Sequence, residues 1–181
     1  MKRRTAIQQI LILAGGVVLL PSCLQSSGKA SIALSHLDMT LDQEQLLAEV
    51  TETILPKTDT PGAKDLKLHL YVMKMVDDCH PEEERKSFLQ GLKNLDAYCT
   101  DAYGMNFSGL TPIDRERALL AISNKTQELP EGLNEFYQIV KNRSIDGYLN
   151  SEYVMKNLVV WELVPGRYNG YFPVKTAKIN G

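Results

Sequence analysis

The chain has 181 residues, 44% of them hydrophobic, with 20 Lys and Arg against 22 Asp and Glu and a net charge of −2. Three of the basic residues and none of the acidic ones precede Cys23, which leaves 17 basic and 22 acidic residues, a net −5, on the 159 residues from Cys23 onward. That length supports one domain with its own core, and the negative balance argues against a nucleic-acid partner, which would need a basic face.

Residues 1–22 read as an export signal. Lys2, Arg3 and Arg4 precede an apolar run from Ile10 to Leu20, and Pro21, Ser22 and Cys23 follow. A charged start, a short apolar stretch and small residues at its end are the pattern of an export leader. The run is short of the roughly 20 apolar residues of a membrane span. The Arg3-Arg4 pair with Thr5, Ala6 and Ile7 fits a twin-arginine signal, although Lys2 stands where a small hydroxyl residue usually precedes the pair. "LPSC" resembles a bacterial lipobox, which would put a lipid anchor on Cys23; Pro21 is unusual within it. An ordinary secretory signal that leaves Cys23 unmodified is the other reading. Residues 24–38 show no clear period, so 23–38 reads as a tether and 39–181 as a single helical domain.

Thr40 with Gln43 fits a capping box, and Leu46, Leu47, Val50 and Ile54 follow at helical spacing, so a helix is expected over Thr40–Leu55, stopped by Pro56. A second is expected from about Ala63 to Asp78, with Leu66, Leu70, Met73 and Val76 in one stripe widened by Leu68, Val72 and Met75. So broad an apolar face belongs at the centre of a bundle. Pro81 and the carboxylates Glu82 to Glu84 suit the first turn of a third helix, with Phe88, Leu92, Leu95 and Cys99 on one face at least to Tyr98. Thr111 as cap, Pro112 and Asp114 open a fourth. A fifth covers roughly Glu131–Asn142, with Leu133, Phe136, Tyr137 and Val140 inward, and Ser151 with Glu152 opens a short sixth. The expected fold is mostly α: an irregular orthogonal bundle of about five to six helices with an aromatic, loop-rich C-terminal segment.

The chain has no G-x-G-x-x-G, P-loop, G-x-S-x-G, C-x-x-C or C-x-x-C-H, so no dinucleotide site of the Rossmann kind and no covalent haem is expected, and no catalytic, cofactor-binding or metal-ligating residue is assigned. Of the three histidines, His36, His69 and His80, the last with Asp77, Asp78 and Cys79 could suggest a metal, but "DDCHP" falls between two helices, where capping explains polar residues better, and His69 lies within a helix. Cys79 and Cys99 form either a disulfide in an oxidising compartment or two separate buried thiols. A bond between them would contribute on the order of 3 kcal/mol.

Between the first two helices, Thr58, Asp59 and Thr60 form the densest polar cluster, punctuated by Pro61 and Gly62. Such side chains bond neighbouring backbone in turns, so local structure accounts for the segment. Contact with a partner subunit is the functional alternative; no nucleophile–base pair stands beside it to support catalysis. Gly62 and the later Gly166 suggest positions at positive φ. The aromatic "WELVPGRYNGYFP" segment supplies either core plugs or interface anchors.

"ILPKTDTPGAKDLKLHLYVMKMVDDC", "GYLNSEYV" and "VPGRYNGYFP", in that order behind an Arg-Arg leader, resemble the gluconate 2-dehydrogenase subunit 3 family over nearly the whole chain after the leader. The segment from Thr58 to Ala63 is the most specific part, Gly147-Tyr148 and Pro165 to Tyr168 add support, and Leu149 stands where members commonly have Phe. The resemblance implies a small, exported, helical, non-catalytic subunit of a membrane-associated sugar or alcohol dehydrogenase. It implies that a large subunit of the glucose–methanol–choline type binds FAD and that electrons pass to a cytochrome c-type or other acceptor. The residues expected to meet the partner are Thr58, Asp59, Thr60, Pro61, Gly62, Trp161, Pro165, Gly166, Arg167, Tyr168 and Tyr171. A free-standing envelope lipoprotein acting as a binding module is the alternative.

Overall fold

The computed structural model describes residues 28–125, 128–159 and Tyr171. The described part is helical: α1 (Leu41–Ile54), α2 (Leu68–Cys79), α3 (Glu82–Tyr103), a 3-10 turn (Phe107–Gly109), α4 (Pro112–Asn124), α5 (Leu133–Leu149) and α6 (Glu152–Asn157). Each N-terminus expected from capping chemistry is where the side chains put it. The Thr40 hydroxyl accepts from the Gln43 N–H at 3.3 Å while the Gln43 side chain accepts from the Thr40 N–H at 3.0 Å, a closed capping box. Thr111 accepts from the Asp114 N–H and donates to its carboxylate, and Ser151 accepts from the Val154 N–H. α3 ends on Gly104 in the left-handed region (φ 77°), which costs a glycine nothing.

α5 is the centre of the bundle and packs against α1, α2, α3, α4 and α6. Its inward face of Leu133, Phe136, Tyr137 and Val140 is buried, as its spacing predicts. It meets Phe88, Leu92 and Leu95 of α3 and Val72, Met73 and Val76 of α2 in one apolar core. Phe88 and Phe136 lie with ring centroids 5.3 Å apart and planes tilted by 50°, a favoured aromatic geometry. Glycines set the spacing on two sides of α5. A Cβ on Gly91 of α3 would lie 2.2 Å from the Gly132 carbonyl oxygen and 2.4 Å from the Phe136 Cβ; one on Gly147 would lie 2.7 Å from the Tyr71 ring.

α2 starts at Leu68, five residues later than expected, because Lys67 sits in the left-handed region (φ 52°) and residues 63–67 are turns. α5 runs seven residues past the expected end at Asn142, since Gly147 is an interhelical contact rather than a breaker. The cysteines are both free: Cys79 is exposed at the end of α2 and Cys99 is buried in α3. α3 begins three residues after Cys79 and carries Cys99 about 25 Å along its axis at 1.5 Å per residue. That is far beyond the reach of a disulfide, so the bridging alternative does not hold in this fold.

Residues 28–39, within the stretch expected to be a tether, form a strap folded onto the bundle. A bridge between Lys29 and Thr40 closes its ends, with the Ala30 N–H donating to the Met39 carbonyl and the Leu41 N–H to the Gly28 carbonyl. Leu37 and Met39 are buried in the core. Two buried carboxylates hold it. Glu44 accepts the Ser31 N–H and hydroxyl, both at 2.6 Å. Asp77, fully buried, accepts the N–H groups of Ser35 (2.8 Å), His36 (2.6 Å) and Leu37 (2.8 Å). Such charge-assisted bonds let a carboxylate leave water, because the charge keeps its partners.

Burial pushes the Asp77 carboxyl up, but the three N–H groups and the Lys74 ammonium outweigh it and hold the group below its ordinary value of 3.8. A carboxyl depressed in the folded state stabilises the fold fully above its unfolded pKa, and that stabilisation is lost as pH falls through the folded value. The protection of the Ser35, His36 and Leu37 amides, measured against their intrinsic exchange rates, should therefore hold down to about pH 4 and fall below it. Asp77→Ala should expose these amides at neutral pH and lower stability by about 3 kcal/mol in chemical denaturation.

Candidate functional site

The stretch between α1 and α2 is built from backbone donors and a few carboxylates. Glu52, in the last turn of α1, reaches both ends of the loop: its carboxylate accepts the Lys57 N–H at 3.1 Å and the Lys64 N–H at 2.7 Å. The Ala63 N–H donates to the Leu55 carbonyl at 2.9 Å, and Ala63 itself is buried. Between these anchors the Thr58 N–H donates to the Thr60 carbonyl at 3.1 Å. The Thr60 N–H donates to the Thr58 hydroxyl at 3.4 Å. Asp65 accepts from the Gly62 N–H at 3.3 Å and pairs with Lys57 at 3.1 Å; the Lys57 bond, with the Gly62 N–H, holds its exposed carboxyl below the ordinary range. The result is a loop closed at its base whose tip, Pro56 to Asp59, is exposed, with Thr60 and Pro61 half-buried and Gly62 buried.

Glu49, one turn earlier on α1, ties this loop to the rest of the bundle. It pairs with the Lys64 ammonium and the Arg115 guanidinium of α4, each at 2.6 Å. Burial pushes its carboxyl up, but Lys64 and Arg115 together bring it below the ordinary range. Arg115 also donates from Nε to the Phe107 carbonyl at 3.1 Å. One guanidinium thus fixes α1, the 3-10 turn and α4 together, which a lysine's single point charge would not do.

Gly62 is not at positive φ, as the sequence suggests; among the described residues the positive-φ glycines are Gly104 and Gly132. Gly62 is small because a Cβ there would lie 2.6 Å from both Glu52 Oε1 and the Lys57 nitrogen. Glu52 escaped the sequence reading, although one cue was available. A carboxylate in the last turn opposes the helix dipole, so its presence there asks for another partner.

The "DDCH" run disperses. Asp77 caps the strap and Asp78 pairs with Lys74 at 3.0 Å. Cys79 is exposed. His80 is buried between Glu84 (2.6 Å from Nδ1) and Arg143, whose Nε donates to Nε2 at 3.1 Å. Arg143 has no acceptor to offer, so His80 carries its proton on Nδ1 and donates to Glu84. Arg85 donates to the His80 carbonyl at 2.6 Å and so caps the end of α2. Among the described residues no group of three or more His, Cys, Asp or Glu is placed to share a metal, and no helix is long and apolar enough to cross a membrane.

The structure therefore brings Thr58, Asp59, Thr60, Pro61 and Gly62 into one loop. Trp161, Pro165, Gly166, Arg167 and Tyr168 lie outside the described residues, as do Arg3, Arg4 and Cys23; Tyr171 is described and 96% exposed. Leu149, the departure from the pattern at Gly147-Tyr148, is exposed at the end of α5 beside half-exposed Ile145 one turn earlier.

The family model described as gluconate 2-dehydrogenase subunit 3 matches residues 41–166. The match opens on the first residue of α1, takes in all six helices and leaves the strap outside. No curated protein matches the chain, and no solved structure does.

The loop geometry makes Glu52 and Gly62 a coupled pair. Glu52→Ala should speed amide exchange at Lys57 and Lys64 and cost about 1–2 kcal/mol of stability. Gly62→Ala, which drives a methyl into Glu52 and the Lys57 backbone, should cost about 1–3 kcal/mol. The double variant should lose less than the two single losses added together, because removing the Glu52 carboxylate relieves part of the clash.

Proposed function

This chain belongs to the gluconate 2-dehydrogenase subunit 3 family, and on that premise we propose that it is the non-catalytic small subunit of an exported, FAD-dependent sugar or alcohol dehydrogenase. In this reading the large flavoprotein subunit, of the glucose–methanol–choline type, holds the FAD and oxidises the substrate, and a cytochrome c-type subunit or another acceptor takes the electrons. The small subunit supports folding, assembly and export of its partner. The Arg3-Arg4 leader directs export and Cys23 carries a lipid that keeps the complex on the membrane.

The observation that carries the reading is the family match across all six helices. The loop geometry agrees with it. The Thr58–Gly62 segment is rigid at its base through Glu52, Ala63 and Asp65, and its exposed tip presents no nucleophile beside a base. A loop pre-shaped in this way loses little entropy on docking, which favours partner contact over chemistry. The aromatic segment supplies Trp161, Tyr168 and Tyr171 as further anchors.

Co-expression with a glucose–methanol–choline-type flavoprotein from the same source tests the assembly. The wild-type chain should recover a yellow complex that reduces dye with sugar, while the isolated chain binds no flavin and reduces none. Trp161→Ala should weaken the complex by about 2 kcal/mol, roughly thirtyfold. Replacement of Thr58–Ala63 should lower recovery of the complex while circular dichroism stays unchanged. Normal recovery with both variants would remove the interface assignment, and dye reduction by the isolated chain would overturn the non-catalytic reading.

Changing Arg3 and Arg4 to lysine keeps the charge but loses the guanidinium pair. Export of both subunits should fall, as measured by their periplasmic fractions; unchanged export would reject the twin-arginine assignment.

A further inference from the structure

The strap changes where the folded body begins. Between Cys23 and the buried Met39 the sequence has fifteen residues, but Gly28 is already hydrogen-bonded to Leu41, so four residues, Leu24 to Ser27, separate Cys23 from the fold. Five Cα steps at full extension span about 18 Å at most. A free fifteen-residue spacer would let the domain turn in any direction; a spacer this short fixes which end of the domain lies nearest to Cys23.

That end is opposite the Thr58–Gly62 loop. Along α1 the loop and the start of α2 meet successive carboxylates in reverse order: the Lys64 N–H meets Glu52, the Lys64 ammonium meets Glu49, and His69 meets Glu44 at 3.9 Å. Chain 62–69 thus runs back along α1 toward its N-terminus. Glu44, at that end, holds the strap through Ser31, and Asp77, eight residues beyond His69 on α2, holds it through Ser35 to Leu37. Glu52 and Glu44 are about 12 Å apart along the axis of α1 at 1.5 Å per residue, and α2 carries Asp77 farther in the same direction.

The two ends also differ chemically. Residues 28–39 contain one lysine, one histidine and one aspartate, the exposed Lys29, His36 and Asp38, and between them expose the small residues Ser31, Ala33 and Ser35. The loop end concentrates Lys57, Asp59, Lys64, Asp65 and Lys67. With a net −5 after the leader, the domain's overall charge does not draw it to an anionic lipid surface. Its orientation must then come from the covalent anchor and from a face that headgroups tolerate.

We propose that the strap is a membrane seat: on the acylated chain it holds the domain with the Lys29–Met39 face against the lipid headgroups and the Thr58–Gly62 loop directed away from the bilayer, where a soluble partner reaches it. This rests on acylation of Cys23, as proposed above. Glu44 and Asp77 are the residues that make the seat rigid, since they hold every strap amide that reaches the bundle through a side chain.

The test uses the full chain exported with its own leader, purified from membranes and placed in phosphatidylcholine vesicles containing a headgroup-labelled quencher lipid. In a Cys79→Ser background a bimane probe is attached at Ala33→Cys on the strap or at Asp59→Cys on the loop. Intact mass first reports the acyl group on Cys23. The strap probe should be quenched several-fold more strongly than the loop probe. Asp77→Ala, which frees the strap and lengthens the spacer, should bring the two toward equality; should that variant fail to fold, the comparison of the two probes in the latched chain decides alone. Equal quenching, or stronger quenching at Asp59, on an acylated chain overturns the seat while leaving the anchor. Absence of the acyl group from the membrane-purified chain overturns the anchor and the seat with it.

Discussion

The depth at which α5 sits in the bundle is the constraint on which the other packing depends. Two glycines set it. On one side Gly91 lets α3 close onto the Gly132 carbonyl and Phe136; on the other Gly147 lets the Tyr71 ring of α2 lie against the α5 backbone. A methyl at Gly91 would meet backbone and could not be relieved by a side-chain rotation, so α3 and α5 would separate and the Phe88–Phe136 contact would open. Because α5 touches α1, α2, α3, α4 and α6, such a displacement would reach each of them. Gly147, which lies within the family match, is therefore first of all a packing device.

Around this apolar centre, carboxylates organise the non-helical segments. Glu44 and Asp77 hold the strap, and Glu49 and Glu52 hold the loop before α2. Irregular backbone cannot satisfy its own donors as a helix does, and a buried or half-buried carboxylate with several acceptor positions satisfies two or three at once. The arrangement suits a small domain, for it fixes about a dozen residues on either end of α1 without further secondary structure. Acid acts against it at Asp77 and Glu49, both held ionised by their partners.

Much of this was legible in the sequence where chemistry is local. Thr40 with Gln43, Thr111 with Asp114, and Ser151 each cap a helix as their spacing says, because a cap involves residues three apart. The inward faces of α1 and α5 follow their periodicity. What could not be read locally was long-range. Nothing in "SIALSHLDM" announces a carboxylate forty residues away, so by its sequence the strap reads as a tether. Lys67 at φ 52° has no sequence cue, and it delays α2. The disulfide alternative, by contrast, could have been dismissed from the sequence: a helix running from Pro81 past Tyr98 already places Cys99 far from Cys79. Of the candidate site, the loop itself is visible in the sequence, but Glu52 lies inside an ordinary amphipathic pattern, and Gly62 in a Pro-Gly turn suggests a positive φ where the structure shows crowding instead.

The strap also imposes an order on folding. Its Ser35, His36 and Leu37 amides are capped by a residue 40 to 42 positions downstream, whereas the capping box that starts α1 spans three. Closing the long loop gains nothing until α2 has formed and turned Asp77 inward, so the local helices and the α1–α2 pair precede it. On a ribosome the segment next to the leader is synthesised first, but its Ser35–Leu37 part is secured only after Asp77 has emerged. A docked strap is thus a report, delivered at the N-terminal end of the domain, that α1 and α2 have already found each other.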